Sequence, residues 1–322
     1  MTTAIWLLAV AAGAAAIVWG AEQFAEHLSG AARGLGVSTV VLAILLAGAE
    51  PEELATAVTA SARHAPGIAF GDVIGANIAI CLVALGVGAV IAPLVFGRTV
   101  RVYALIGLPL AALAAVVAWD GHVGRPEGAL LVGLYGAYVA TIWLVERRPP
   151  TLGETAELVE DRAAAARSSK LKTRVGRDLA LVLLGLMVMS GGAVLLVEAV
   201  RRLSGSETSQ TNLGLTLVGF ATAFELVALA WSISRRGASE AAVAAVVGSL
   251  TYNVTMTLGV AALVRPLRLV DSTTLHGPLV VMLAAMAFVT LLGVVAGRLD
   301  RRAGVLLLVA YPVFVTAVLL GI

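Results

Sequence analysis

Three carboxylates, Glu50, Glu52 and Glu53, stand in the segment Ala47-Gly48-Ala49-Glu50-Pro51-Glu52-Glu53-Leu54, inside a run otherwise apolar enough to cross a membrane. Insertion scales charge about +2.5 to +3.5 kcal/mol for an ionised side chain at the centre of a membrane helix, and such residues face a cavity, a partner or a pathway. Gly48 and Pro51 weaken the helix at the same point. Glycine adds backbone freedom, and proline lacks a donor and collides with the carbonyl four residues back. An interrupted membrane helix that carries acids predicts a cation site to which backbone carbonyls contribute. The alternative is a short helix ending in a solvated acidic loop, but residues 54–58 continue the apolar run before Arg63 and His64.

The elements that position these acids follow from composition. With 60% hydrophobic and 13% charged residues and a mean hydropathy of +0.97, the chain lies far from the roughly 25% charged residues of soluble domains. It reads as an all-α polytopic membrane protein. The net charge of +2 gives no reason to expect nucleic acid as a partner, because the basic residues fall in loops, where they orient membrane proteins. The single cysteine, Cys81, excludes an internal disulfide and a cysteine metal cluster. The N-terminus has no positive n-region, so its first apolar run reads as a retained span.

Segments long enough to span fall at residues 3–25, 37–62, 68–94, 101–119 and 126–146, and again at 176–200, 211–234, 240–264, 274–297 and 302–321. This divides the chain into a first five-helix unit, 1–146, a linker, 147–175, and a second five-helix unit, 176–322. The stretch 147–177 carries eight Lys and Arg and is expected to be cytoplasmic, with one amphipathic helix at 152–166. Ten spans then put both termini outside a plasma membrane, and the inner loops hold 16 of the 22 basic residues.

Five spans per half means that the halves insert upside down relative to each other, which predicts an inverted repeat. Residue matches support it. Gly20-Ala21 with Glu26 corresponds to Gly192-Ala193 with Glu198, and Leu42-Ala43-Ile44 leading to Glu53-Leu54 corresponds to Gly214-Leu215-Thr216 leading to Glu225-Leu226, both at an offset of 172. Ala69 to Asn77 aligns with Ala242 to Leu250 at an offset of 173.

These blocks resemble the sodium/calcium exchanger, or cation/calcium antiporter, superfamily, whose two alpha repeats each pair a Gly-Thr-Ser-x-Pro-Glu-Leu type segment with a Gly-Asn-x-x-Gly-Ser type segment. The resemblance covers nearly the whole chain. It implies two inverted five-helix repeats around a midplane cation site, with Glu53 and Glu225 as the principal acids. Glu52 competes with Glu53 for the first position, and spacing to Gly75 favours Glu53. Ala49 and Glu50 replace family hydroxyls, Ala76 and Ile80 replace a serine and an asparagine, and Asp72 stands where asparagine is usual. The second repeat keeps Thr222, Ser249 and Asn253 around Glu225, but has Ala221 for a hydroxyl and Phe224 for proline. Calcium takes about six to eight oxygens, which these residues can supply, whereas a set of several sodium sites is short of ligands.

Acids clustered in a low-dielectric cleft cannot all stay ionised without a cation, so proton and cation compete. That competition predicts a secondary active antiporter exchanging Ca2+ or another cation for Na+ or H+, with the first and sixth spans rocking against the core. Glu26 and Glu198 then serve as polar anchors or as part of a gate. The transported inorganic cations are substrates, no cofactor is expected, and the bilayer is the other partner. A cation/proton antiporter that does not carry calcium, and a transport-inactive protein of the same fold, are the alternatives. An intramembrane hydrolase lacks support, because the chain has no His-Glu-x-x-His, serine-nucleophile or paired-aspartate motif. His27, His64, His122 and His276 share no ligand spacing, and the five tryptophans suit interfacial anchoring.

Overall fold

The computed structural model describes residues 2–34, 49–146, 175–235 and 239–321. They form α1 (Thr2–Gly34), α2 (Pro51–Ala62), α3 (Pro66–Ile91), α4 (Arg98–Ala118), α5 (Arg125–Glu146), α6 (Val175–Leu203), α7 (Glu207–Arg235), α8 (239–264), α9 (Thr273–Val295) and α10 (Arg301–Leu320). Among the described residues, nine of these ten helices are long and apolar enough to cross a membrane; α2 is the exception. The expected second span enters the description at Ala49, and α2 begins at Pro51. Proline costs little in a first turn, where its missing N–H would have no partner in the helix. Pro51 therefore suits the first turn of α2. Residues 147–174, with the expected amphipathic segment, lie outside the described residues.

In the second half Ala223 takes the place of Pro51 and α7 continues through that position, from Glu207 to Arg235, with a π turn at Gly214–Val218. It starts four residues before the sequence pattern suggests, because the Ser206 hydroxyl caps it, accepting from the Ser209 N–H at 3.1 Å. The Asp300 carboxylate caps α10 in the same way, accepting from the Ala303 N–H at 2.9 Å.

The repeat is visible element by element. In α3 a π turn at Ile80–Ala84 interrupts the regular helix, and in α8 the turn Asn253–Thr257 does so 173 residues on. Short strands follow: β1 (Leu94–Val95), β2 (His122–Val123), β3 (Leu267–Arg268) and β4 (Arg298–Leu299). β1 pairs antiparallel with β4 and β2 with β3. By position within each half, β1 is equivalent to β3 and β2 to β4. β1 precedes α4 and β2 follows it, and a helix of 21 residues spans about 30 Å. Equivalent strands thus sit at opposite ends of the bundle, which is what inversion of the two halves means.

The core centres on α3 and α8, whose spanning windows are 78% and 89% buried, against 17% for α10. Gly67, Gly71 and Gly75 form a stripe on α3 that receives α7. A Cβ on Gly75 would overlap the Leu215 carbonyl oxygen and lie 2.7 Å from its carbon, and one on Gly71 would lie 2.7 Å from the Gly214 Cα. Backbones this close exclude any side chain, the device by which membrane helices maximise contact without a hydrophobic drive between them. α1 and α6 form a separate long pair, meeting backbone to backbone at Gly13 and Gly192 and at Gly20 and Gly185.

Candidate cation site

Helices α2, α3, α7 and α8 bring ionisable groups from both halves into the interior. Glu50 and Ala49 form the non-helical entry to α2, and Glu52 and Glu53 occupy its first turn. Acids are favoured there by the positive end of the helix dipole. Glu50, Glu52, Glu53 and Asp72 are all buried, the most accessible being 3% exposed. Glu225 is half-buried, with its Oε2 sealed from solvent.

Glu53 is the centre of the arrangement. Its carboxylate lies beside the Asn253 amide and within electrostatic reach of Asp72, Glu52 and Glu225. The two principal acids inferred from the sequence, one from each half, therefore share one region of the bundle interior. Glu52 precedes Glu53 by about 100° of helix rotation and is buried as well.

Thr222, Ser249 and Asn253 each make a side-chain hydrogen bond to the first half, and Thr222 and Ser249 also bond to carbonyls of their own helices. Ser249 Oγ donates to Glu50 Oε1, and Thr222 Oγ1 donates to Asp72 Oδ1 at 3.0 Å. Asn253 Nδ2 donates to Asn77 Oδ1 at 3.1 Å. The physical reason is the interleaving of the inverted halves: α7 and α8 of the second half pack against α3 and α2 of the first, so the polar groups of each half face the other.

Asn77 was not singled out from the sequence. It is fully buried, and its Nδ2 donates to the Leu250 carbonyl at 3.0 Å, while Thr257 Oγ1 donates to Asn253 Oδ1 at 3.4 Å. These bonds link Leu250, Asn77, Asn253 and Thr257 across the two halves. The available signal was a fully polar amide in a span that, apart from Asp72, is made of small and apolar residues. Asn253 also opens the π turn of α8, and such turns recur at functional sites.

Charge is divided unequally between the halves. At matched positions the first half has Glu50, Glu52, Glu53 and Asp72, and the second has Thr222, Phe224, Glu225 and Ala245. Among the described residues no three carboxylate, imidazole or thiol groups converge tightly enough to hold one metal ion. The donors present are hard oxygens, the type that suits calcium, sodium and protons.

The sodium/calcium exchanger protein family matches residues 5–144 and 178–320, one match in each half. An uncharacterized membrane protein of Methanocaldococcus jannaschii is 25% identical over 305 residues, 94% of this chain and 92% of its own length. The candidate antiporter CaxA of Alkalimonas amylolytica is 26% identical over 312 residues, covering 94% of this chain and 95% of that protein. Among solved structures, the sodium-calcium exchanger NCX_Mj superposes with a TM-score of 0.62 at 23% identity, over 98% of this chain and 99% of its own, a likeness of fold. With both halves matched, and with two inverted helical units meeting at buried acids, the chain belongs to the sodium/calcium exchanger family of multi-pass membrane cation antiporters.

Proposed function

We propose that the protein is a secondary active antiporter that exchanges Ca2+ or another cation for Na+ or H+ by alternating access at the Glu53–Glu225 region. The observation that carries this reading is the burial of Glu53 beside Asn253, with Asp72 and Glu225 within electrostatic reach. Several carboxylates in a low-dielectric interior repel one another and lose hydration, so the ionised cluster requires a counter-charge. A cation or a set of protons supplies it, and the state lacking both is too costly to cross between the two sides. Glu53, Glu225, Asp72 and Asn253 are the proposed cation-handling groups, with Glu50, Glu52, Thr222 and Ser249 completing the polar lining. The proposed setting is the plasma membrane, with both termini outside and residues 147–177 in the cytoplasm.

A second reading, proton coupling without calcium transport, is favoured by one feature. The first half has exchanged neutral ligands for Ala49, Ala76 and Ile80 while adding Glu50 and Asp72. Flux in reconstituted vesicles separates the readings. Calcium uptake driven by an outward sodium gradient supports sodium–calcium exchange, and uptake driven by a pH gradient alone supports proton coupling. Sodium movement with pH but no calcium flux selects the second reading, and no gradient-dependent flux of any cation rejects both.

A further inference from the structure

At the end of the bundle where α2 and α8 finish, an open cavity of about 590 Å³ is lined by His122, Arg125, Arg265 and Arg268, together with Ala62, Val264 and Pro266. No carboxylate lines it. Asp120 Oδ1 accepts from the His122 N–H at 2.9 Å within its own loop, and Glu127, in the first turn of α5, places its carboxylate beside Gly124 and the His122 ring at the edge of the cavity. This is an unexpected place to gather cations in a cation antiporter.

Arg265 is held in place from two sides. Ser61 Oγ lies 3.1 Å from its backbone carbonyl, and its guanidinium lies 2.6 Å from Nε2 of His64. His64 itself has a φ of 61°, a conformation uncommon outside glycine that persists where surroundings impose it. Arg268 stands directly opposite His122 on the β2–β3 ladder, and both are on its exposed face.

The inverted repeat provides an internal control. Arg125 Nε donates to the Leu263 carbonyl at 3.2 Å, and its equivalent in the second half, Arg301, donates to the Val90 carbonyl at 3.0 Å. That contact serves the scaffold at both ends. Arg265 and Arg268 have no such counterpart, because the equivalent positions are Ala92 and Val95, and the same turn and ladder form there with a single basic residue, Arg298, opposite Val95. The fold does not need these two arginines.

We propose that this cavity binds a phosphate-bearing anion, either the phosphate of a lipid headgroup or free phosphate, with Arg265 and Arg268 as its recognition residues. Guanidinium forks match pairs of phosphate oxygens. The exposed Leu263 and Val264 on the adjoining turn of α8 give an acyl chain a surface beside the charge.

The test compares the full-length parent with R265A/R268V, which carries the residues found at the equivalent turn and is expected to fold, and with R298V on the opposite ladder. In nanodiscs of mixed phosphatidylglycerol and phosphatidylcholine, native mass spectrometry reads the lipid retained. In delipidated detergent, a thermal shift is titrated with inorganic phosphate against chloride. A lipid ligand predicts at least tenfold weaker preference for phosphatidylglycerol in R265A/R268V, with R298V like the parent. A free-phosphate ligand predicts a saturable phosphate-specific shift lost in R265A/R268V, with lipid retention equal. Parent and R265A/R268V behaving alike towards both probes would overturn the proposal, as would an equal loss in R298V.

Discussion

Glu53→Gln is the sharpest probe of the proposed site. The amide keeps the shape and one oxygen of the side chain and removes the charge. In the structure Glu53 is fully buried beside Asn253, with Asp72, Glu52 and Glu225 within electrostatic reach. Removing one partner of a buried charge pair costs about 3–5 kcal/mol, which is two to three and a half orders of magnitude in apparent affinity. Cation flux in vesicles should therefore fall at least about seventyfold at a cation concentration that half-saturates the parent. Stability gives an independent reading. At 100 times its dissociation constant a ligand stabilises the parent by about 2.7 kcal/mol, which for a chain of 322 residues raises Tm by about 4 °C on the globular-protein scaling. Glu53→Gln should lose that shift. Its Tm without cation should stay unchanged or rise, because the substitution relieves repulsion and desolvation within the cluster. Parental flux together with a parental cation-induced Tm shift would refute the reasoning and move the site away from Glu53.

Glu50, whose Oε1 accepts from Ser249, lies at the entry to α2 rather than beside Asn253. Glu50→Gln should retain cation-induced stabilisation and shift the pH dependence of flux; loss of stabilisation equal to that of Glu53→Gln would place it in the binding set. Gly75→Ala tests packing rather than charge, since its methyl would overlap the Leu215 backbone. Overpacking of this kind costs about 1–3 kcal/mol, so Tm should fall in the presence and absence of cation alike, and a parental Tm would mean that α3 and α7 separate easily.

The repeat was legible because both halves kept the same glycines and acids at fixed spacing. The offsets of 172 and 173 reappear as matched π turns and strands. Pro51 announced the break before α2 for a local reason, since a proline has one tolerable place in a helix. The β1–β4 and β2–β3 ladders were not legible: each strand is two residues long, too short to show alternation, and its partner comes from the other half. The bonds of Thr222 to Asp72 and of Ser249 to Glu50 were not legible for a related reason. Inversion turns polar groups of each half towards the other, and only the three-dimensional arrangement contains that information. Asn77 was passed over because its equivalent, Leu250, carries no polar side chain, and its hydrogen bond runs to that residue's backbone carbonyl.

The same symmetry yields a prediction about alternation. Glu198 on α6 lies 3.7 Å from Arg63, which closes α2, and it also pairs with Arg201 and Arg202 of its own helix. Their equivalents at an offset of 172 are Glu26 on α1 and Arg235 at the end of α7. Among the described residues Glu26 makes no ion pair, and Arg235 sits over the Trp231 ring at 4.9 Å. Among the described residues, an ion pair thus ties one end of the α1–α6 pair to the core and none does so at the other. In an inverted repeat the opposite state follows when the halves exchange conformations, so Glu26 should then meet Arg235 and Glu198 should release Arg63. Side-chain exposures of 29% and 41% for Glu198 and Arg63 keep such a contact within about 1 kcal/mol. Glu198→Gln should therefore shift the ratio of the two states by about fivefold at most and leave exchange running. The only native cysteine, Cys81, is buried, so cysteine pairs at 63 and 198 and at 26 and 235 can be cross-linked selectively with a short bifunctional reagent. Each pair should react under cation and pH conditions that suppress the other. If the pair at 26 and 235 reacts under none of them, the halves do not exchange roles at these residues, and the contact between Glu198 and Arg63 is a fixed anchor.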